Sequence, residues 1–213
     1  QGVGGTYRGA DGALRVVEQL AGVALPASAV EALILPARVR DYTPALLDEL
    51  CAAGEVSWRG QGGLAASDGW ITLWPTDLGP LGDVLAEPEG DLEAALVSAL
   101  REGGASFFGP LADAVGDPGG LAASDALWSL VWKGLVTNDT LAPVRARLGG
   151  GSTTHRSRSA APRTRYGRPR LRLPRAAAPP SVGGRWSLVP GGVGSTEERL
   201  VLTAELLLDR YGV

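Results

Sequence analysis

Two stretches eighty residues apart restrict the folds open to this chain. "LDELCAAGEVSWR" (47–59) and "LWSLVWKGLVTND" (127–139) align so that Leu47, Leu50, Gly54 and Val56 fall on Leu127, Leu130, Gly134 and Val136. Each copy reads as an apolar-striped helix, a glycine stop and the start of a strand. A shared order of elements carries more weight than the four identities. By contrast, the six-residue identity "GLAASD" at 63–68 and 120–125 is a decoy. Its first copy falls in a turn and its second leads into a helix.

Around the first copy the pattern predicts three short helices and a hairpin. Leu14, Val17 and Leu20, with Val16 beside them, stripe the first helix, with Gly22 as its stop. Val30, Leu33 and Ile34 suit a second, ended by Pro36. Thr43 as N-cap, Pro44 in the first turn and Gly54 as the left-handed stop frame the third. Val56 and Trp58 then alternate with polar neighbours. Ile71 and Leu73 share one face of a returning strand, with Trp70 and Trp74 on the other. This is the pattern of a winged helix-turn-helix.

The second copy sits in the same order. "DLEAALVSALREGG" is a helix, "SFFGPLADAVG" a second capped by Ser106, and "SDALWSLVWKG" a third capped by Ser124. "LVTND" is a strand, and its returning partner is "RWSLVP", more than forty residues later. "STEERLVLTAELLLDRYGV" adds one more amphipathic helix, capped by Ser195 or Thr196 with Glu198 in a capping box. The expected class is α+β, mainly α: tandem winged helix-turn-helix domains with the last one truncated. The expected boundaries are 1–88, 89–192 with a long Arg-rich insertion at about 150–184, and 193–213.

Charge is unevenly spread. Nine arginines and no acid lie in 151–185, which leaves eleven basic residues against 23 acidic ones elsewhere, a charge of −12 on the remainder. An acidic body with one basic arm points to a polyanionic partner. A loop of this length inside a compact domain is functional or disordered as a rule.

The chemistry-bearing residues exclude more than they offer. There is no phosphate loop of the G-x-x-x-x-G-K-[ST] type and no glycine-rich dinucleotide turn after a strand. The one histidine, His155, lies in the arm, so neither a Ser-His-Asp triad nor a zinc site is expected. Cys51 lies on the apolar side of a helix and reads as an inert thiol. Asp48 and Glu49 read as solvated helix positions, and Glu197 and Glu198 as first-turn partners of the helix dipole. No apolar run reaches the roughly 18–20 residues that span a bilayer, and no secretory leader opens the chain. The expectation is a soluble, cytoplasmic protein with no membrane partner. The absence of Met implies a piece of something longer.

Nucleic-acid contact remains. The candidate residues are Arg38 and Arg40 before the third helix and Arg59 at the wing. In the arm they are Arg156, Arg158, Arg163, Arg165, Tyr166, Arg168, Arg170 and Arg172. Guanidinium forks pair with phosphates, and a tyrosine ring can stack on a base. The acidic third helix of the first unit disfavours deep groove insertion and favours a scaffolding role. Trp128 and Trp132 are i and i+4 neighbours, and at least one of them is expected to pack in the core, the alternative being a base-stacking platform.

"QGVGGTYRGADGALRVVEQLAG", "LVWKGLVTNDTLAPVRA", "GRWSLVP" and "LLLDRYGV" resemble the C-terminal region of the bacterial large helicase-related (Lhr) proteins. The resemblance implies a DNA-repair parent with an ATP- and magnesium-dependent 3'-5' helicase motor and a C-terminal extension of tandem winged helices. That extension is similar to winged-helix DNA glycosylases, with an associated activity on uracil or alkylated bases. The implied partners are DNA, single-stranded or forked, and the helicase core of the same parent, with homo-oligomers a further expectation. The motor's motifs are missing here, so no cofactor is expected in this chain. Gln1, Gln19 and Gln61 begin no Gln-x-Gln or Gln-x-Asp motif, and the family's catalytic Asp is expected beyond "LLLDRYGV". No catalytic residue is carried over. The expected role is a DNA-binding or scaffolding module, or alternatively part of a glycosylase domain.

Overall fold

A computed structural model describes residues 3–64, 67–80, 87–149, 179–191 and 196–211. Helix α1 (Gly9–Leu20) buries Ala13, Val16 and Val17, and Leu14 and Leu20 of the expected stripe pack partly buried against the core. Strand β1 (Leu25–Pro26) follows, then α2 (Ala27–Ala29), which runs on as a π-helical turn over Val30–Ile34. Helix α3 (Pro44–Ala52) buries Leu47, Leu50 and Cys51. Thr43 holds the N-cap backbone conformation, but its side chain makes no capping bond. Gly54 ends the turn at φ +77°, a conformation that costs an L-residue with a Cβ more than it costs glycine.

Strands β2 (Val56–Gly63) and β3 (Gly69–Pro75) form the hairpin, and β1 pairs antiparallel with the outer side of β3. The sheet order is therefore β1-β3-β2. Ile71 and Leu73 are buried as expected. Trp74, expected on the opposite face, is only 1% exposed, because Ala21, Val189, Leu202 and Leu206 cover it.

The same order recurs in the second unit. Helix α4 (Gly90–Gly103), strand β4 (Ser106–Phe107) and helices α5 (Phe108–Ala114) and α6 (Leu121–Trp132) precede β5 (Val136–Asn138). A short helix α7 (Ala142–Arg147) follows, and the chain returns as β6 (Arg185–Leu188). The second sheet runs β4-β6-β5, matching the first strand for strand. Ser106 lies in β4 rather than capping a helix. The start of α6 is not capped by Ser124: Asp117 accepts the N–H groups of Gly120 and Ala123 through its two carboxylate oxygens. The decoy copies of "GLAASD" separate as expected, one at the end of β2 and one at the start of α6. Helix α8 (Thr196–Tyr211) packs Leu202 and Leu206 against Trp74; Ser195 lies outside the described residues.

One continuous core joins both units, from Ala13 through Trp58 to Trp186. The seam is formed by β2 lying on α6 and β5. A Cβ on Gly60 would stand 2.8 Å from the carbonyl carbon of Val131, so only glycine permits this approach.

Candidate nucleic-acid interface

A winged helix meets nucleic acid through its third helix and its wing. In the first unit the second unit packs against part of each. Asp48 on α3 accepts the Leu141 N–H at 2.9 Å and also binds the Arg145 guanidinium. Arg145 on α7 also donates to both carboxylate oxygens of Glu31, and the Tyr42 hydroxyl donates to Glu31 at 2.7 Å. Asp48 is therefore not the solvated position read from sequence; Glu49 beside it is exposed. Desolvation opposes charge on Arg145, but its bonds to Asp48 and Glu31 outweigh that and hold its pKa above the ordinary value. Burial, reinforced by the neighbouring Glu31 carboxylate, pushes the Tyr42 phenol up, so it stays protonated and able to donate.

Strand β2 is tied in the same way. The Trp58 indole N–H donates to the Thr140 carbonyl at 3.2 Å, and the Thr137 hydroxyl donates to the Trp58 carbonyl. Arg59, expected at the wing surface, is 2% exposed within this seam. Strand β2 lies against α6 and β5.

The third helix of the second unit is also partly covered. Trp128 is 1% exposed, donates its indole N–H to the Ser181 carbonyl at 3.0 Å and meets Trp186 edge to face. Trp132 packs on Trp128 with ring centroids 5.4 Å apart. Trp128 fulfils the expectation that at least one of the two packs in the core, and Trp132 packs partly buried against it. Lys133 binds Glu93 at 2.7 Å and Glu89 at 3.3 Å, which leaves it a poor candidate for phosphate.

The Arg-rich segment lies between β5 and β6 in the chain. Antiparallel pairing of Val136 with Leu188, Thr137 with Ser187 and Asn138 with Trp186 makes 139–184 the connection between β5 and β6. Helix α7 packs against the 3-10 turn Pro180–Val182, and the Arg147 guanidinium lies 4.7 Å over the Trp128 ring. Both flanks of the segment are thus fixed on the body. Arg156, Arg158, Arg163, Arg165, Tyr166, Arg168, Arg170 and Arg172 lie outside the described residues. Arg40 is exposed, whereas the Arg38 guanidinium donates to its own Ile34 carbonyl at 3.0 Å.

A cleft of about 840 Å³ opens between α1, the start of β2, the end of β3 and α8. Glu18, Glu55 and Asp77 line it, and its one arginine, Arg15, is paired with Glu18. This lining repels phosphate. Among the described residues no three His, Cys, Asp or Glu side chains gather as metal ligands, and no helix is long and apolar enough to cross a membrane.

Helix, strand, two helices and a hairpin over the first 76 residues define a winged-helix domain, and residues 1–76 match the family model described as "Large helicase-related protein, winged-helix domain". The whole chain is 46% identical to "Lhr helicase/ probable uracil glycosylase" of Mycolicibacterium smegmatis. It is 41% identical over 98% of its length to "Lhr helicase/uracil glycosylase" of Escherichia coli. The chain belongs to the large helicase-related (Lhr) family, and the match is consistent with a C-terminal region of an Lhr helicase. It spans 15% and 14% of the length of these two relatives.

Proposed function

We propose that this chain is a nucleic-acid-gripping module made of two winged-helix units. In this reading the first unit is a platform and the second presents the Arg-rich segment as an enlarged wing. Helix α8 begins a third unit of the same kind. The observation that carries the reading is the direct pairing of β5 with β6, with every arginine of 151–178 between them. The family membership supports DNA as the polyanion and a helicase motor in the same parent chain as the machine it serves.

Single-stranded or forked DNA is the expected substrate, because the relatives are named helicases. Arginine forks and Tyr166 suit a strand whose phosphates and bases are both accessible. Gripping needs no ATP or magnesium from this chain, and cytoplasmic DNA is its setting. Base excision rests on the relatives' names alone, and no residue here is assigned to it.

The test is fluorescence anisotropy of the full chain with single-stranded, duplex and forked oligonucleotides over a range of salt. If about five arginines engage duplex phosphates, the log–log salt slope is near −4 to −5. Replacing Arg156, Arg158, Arg163, Arg165, Arg168, Arg170 and Arg172 with glutamine flattens that slope, and a chelator leaves it unchanged. Flat titrations at low salt would remove the reading.

A second reading, a scaffold that assembles subunits or docks the motor, is favoured by the partly covered α3 and β2 of the first unit. Binding confined to protein partners, with no response to DNA, would select it.

A further inference from the structure

We infer that Arg8 and Arg40 form a phosphate-binding pair on the first unit, separate from the Arg-rich segment; this rests on the nucleic-acid-binding reading above. The two residues are 32 apart in sequence and become neighbours through the backbone. Tyr7 and Val39 form a parallel bridge, the Arg40 N–H donates to the Tyr7 carbonyl at 3.0 Å, and the Gly4 N–H donates to the Ala37 carbonyl at 3.0 Å. Arg8 is extended, with φ −146° and ψ 151°. Successive side chains on extended backbone point to opposite sides. Val39 is fully buried and Tyr7 packs against the core, its hydroxyl accepting the Gln19 amide N–H at 3.0 Å. Arg8 and Arg40 each follow one of these two inward residues, and both are exposed.

Among the described residues no carboxylate pairs with either charge within salt-bridge distance. Arg15, Lys133 and Arg145 each have a carboxylate partner. Among the described residues Arg8 and Arg40 have neither an ion pair nor a side-chain hydrogen bond. The acids nearby in sequence are Asp11, in the first turn of α1, and Asp41, whose carboxylate accepts the Gly9 N–H at 2.9 Å. A carboxylate at that end is held by the helix dipole as well. Like charges on adjacent paired rows repel each other, and an anion bridging them removes that repulsion. A phosphodiester fits, because each guanidinium can donate two parallel bonds to its oxygens. The position also fits the rest of the molecule. The exposed part of α3 carries the acid Glu49, whereas the turn before it carries Arg40.

The test measures the salt dependence of oligonucleotide binding for the full chain, for Arg8→Gln/Arg40→Gln and for Arg101→Gln, an exposed arginine on α4. Thermal unfolding checks that each variant folds. The double variant should flatten the log–log slope by about 1.8 on duplex or about 1.4 on single strands. Arg101→Gln should leave it unchanged. A folded double variant with the slope of the unaltered chain overturns the pair, and if the arm variant still flattens the slope the gripping module survives. No binding by the unaltered chain overturns both.

Discussion

Arg145 of the second unit donates through one guanidinium nitrogen to both carboxylate oxygens of Glu31 in the first, each at 2.9 Å. Its other terminal nitrogen holds Asp48. One side chain thus ties α7 to two separate elements of the first unit. Arg145→Ala leaves two half-buried carboxylates facing each other. The expected loss is about 2–4 kcal/mol in urea denaturation, below the fully buried limit because the three side chains retain some exposure. Arg145→Lys should recover only part of it, since one ammonium cannot span both acids.

The seam makes a steric prediction. Gly60→Ala drives a methyl into the Val131 backbone and should lower stability by about 1–3 kcal/mol. Gly63, near the end of the same strand, has no heavy atom within 4 Å of where a Cβ would stand and no positive φ. Gly63→Ala should stay within about 0.5 kcal/mol of the unaltered chain. Equal effects at the two sites, read by thermal unfolding, would contradict the packing of β2 on α6.

The Lys133–Glu93 pair predicts a pH window. Desolvation opposes ionisation of Glu93, but the Glu89 N–H and Lys133 prevail and hold its pKa below 4.5. Desolvation likewise opposes charge on Lys133, and Glu93 and Glu89 hold its pKa above 10.5. A depressed acid stabilises above its unfolded pKa and loses that contribution as pH falls through its folded one; a raised base loses its contribution as pH rises through its folded one. The stability gap between the chain and Glu93→Gln should be widest between pH 4.5 and 10.5 and close on the acid side below 4.5. A gap that widens on acidification would refute the pairing.

Cys51 should be silent. Burial, with Asp48 adding to it, pushes its thiol up to about 12, and the side chain is 6% exposed. A thiol-reactive dye should label it at neutral pH only after denaturant unfolds the chain.

Helix α3 was legible because Pro44 and Gly54 mark its ends chemically and Leu47 and Leu50 its inner face. The repeat was legible because a helix stop and a strand start are local events. Strands β1 and β4 were not, since two residues carry no alternation and only the pairing of Leu25 with Ile71 and Ser106 with Trp186 defines them. Asp117 was missed as a cap because it reaches past a Pro-Gly-Gly turn, whereas Ser124 adjoined the helix pattern. Asp48, Arg59 and Arg8 were misread or overlooked for one reason. Their surroundings are set by residues far away in the chain, and a surface charge and a buried one look alike in a string of letters. Arg145 carried no signal that distinguished it from Arg147.

The pairing of β5 with β6 around a long excursion has an engineering consequence. Because closing a loop costs only about 0.6 kcal/mol for each doubling of its length, and because α7 and the 3-10 turn already hold its two stems, the stretch between them is a permissive insertion port. A fluorescent protein, an affinity handle or a foreign binding peptide could be spliced there while the paired sheets beneath continue to fold as before.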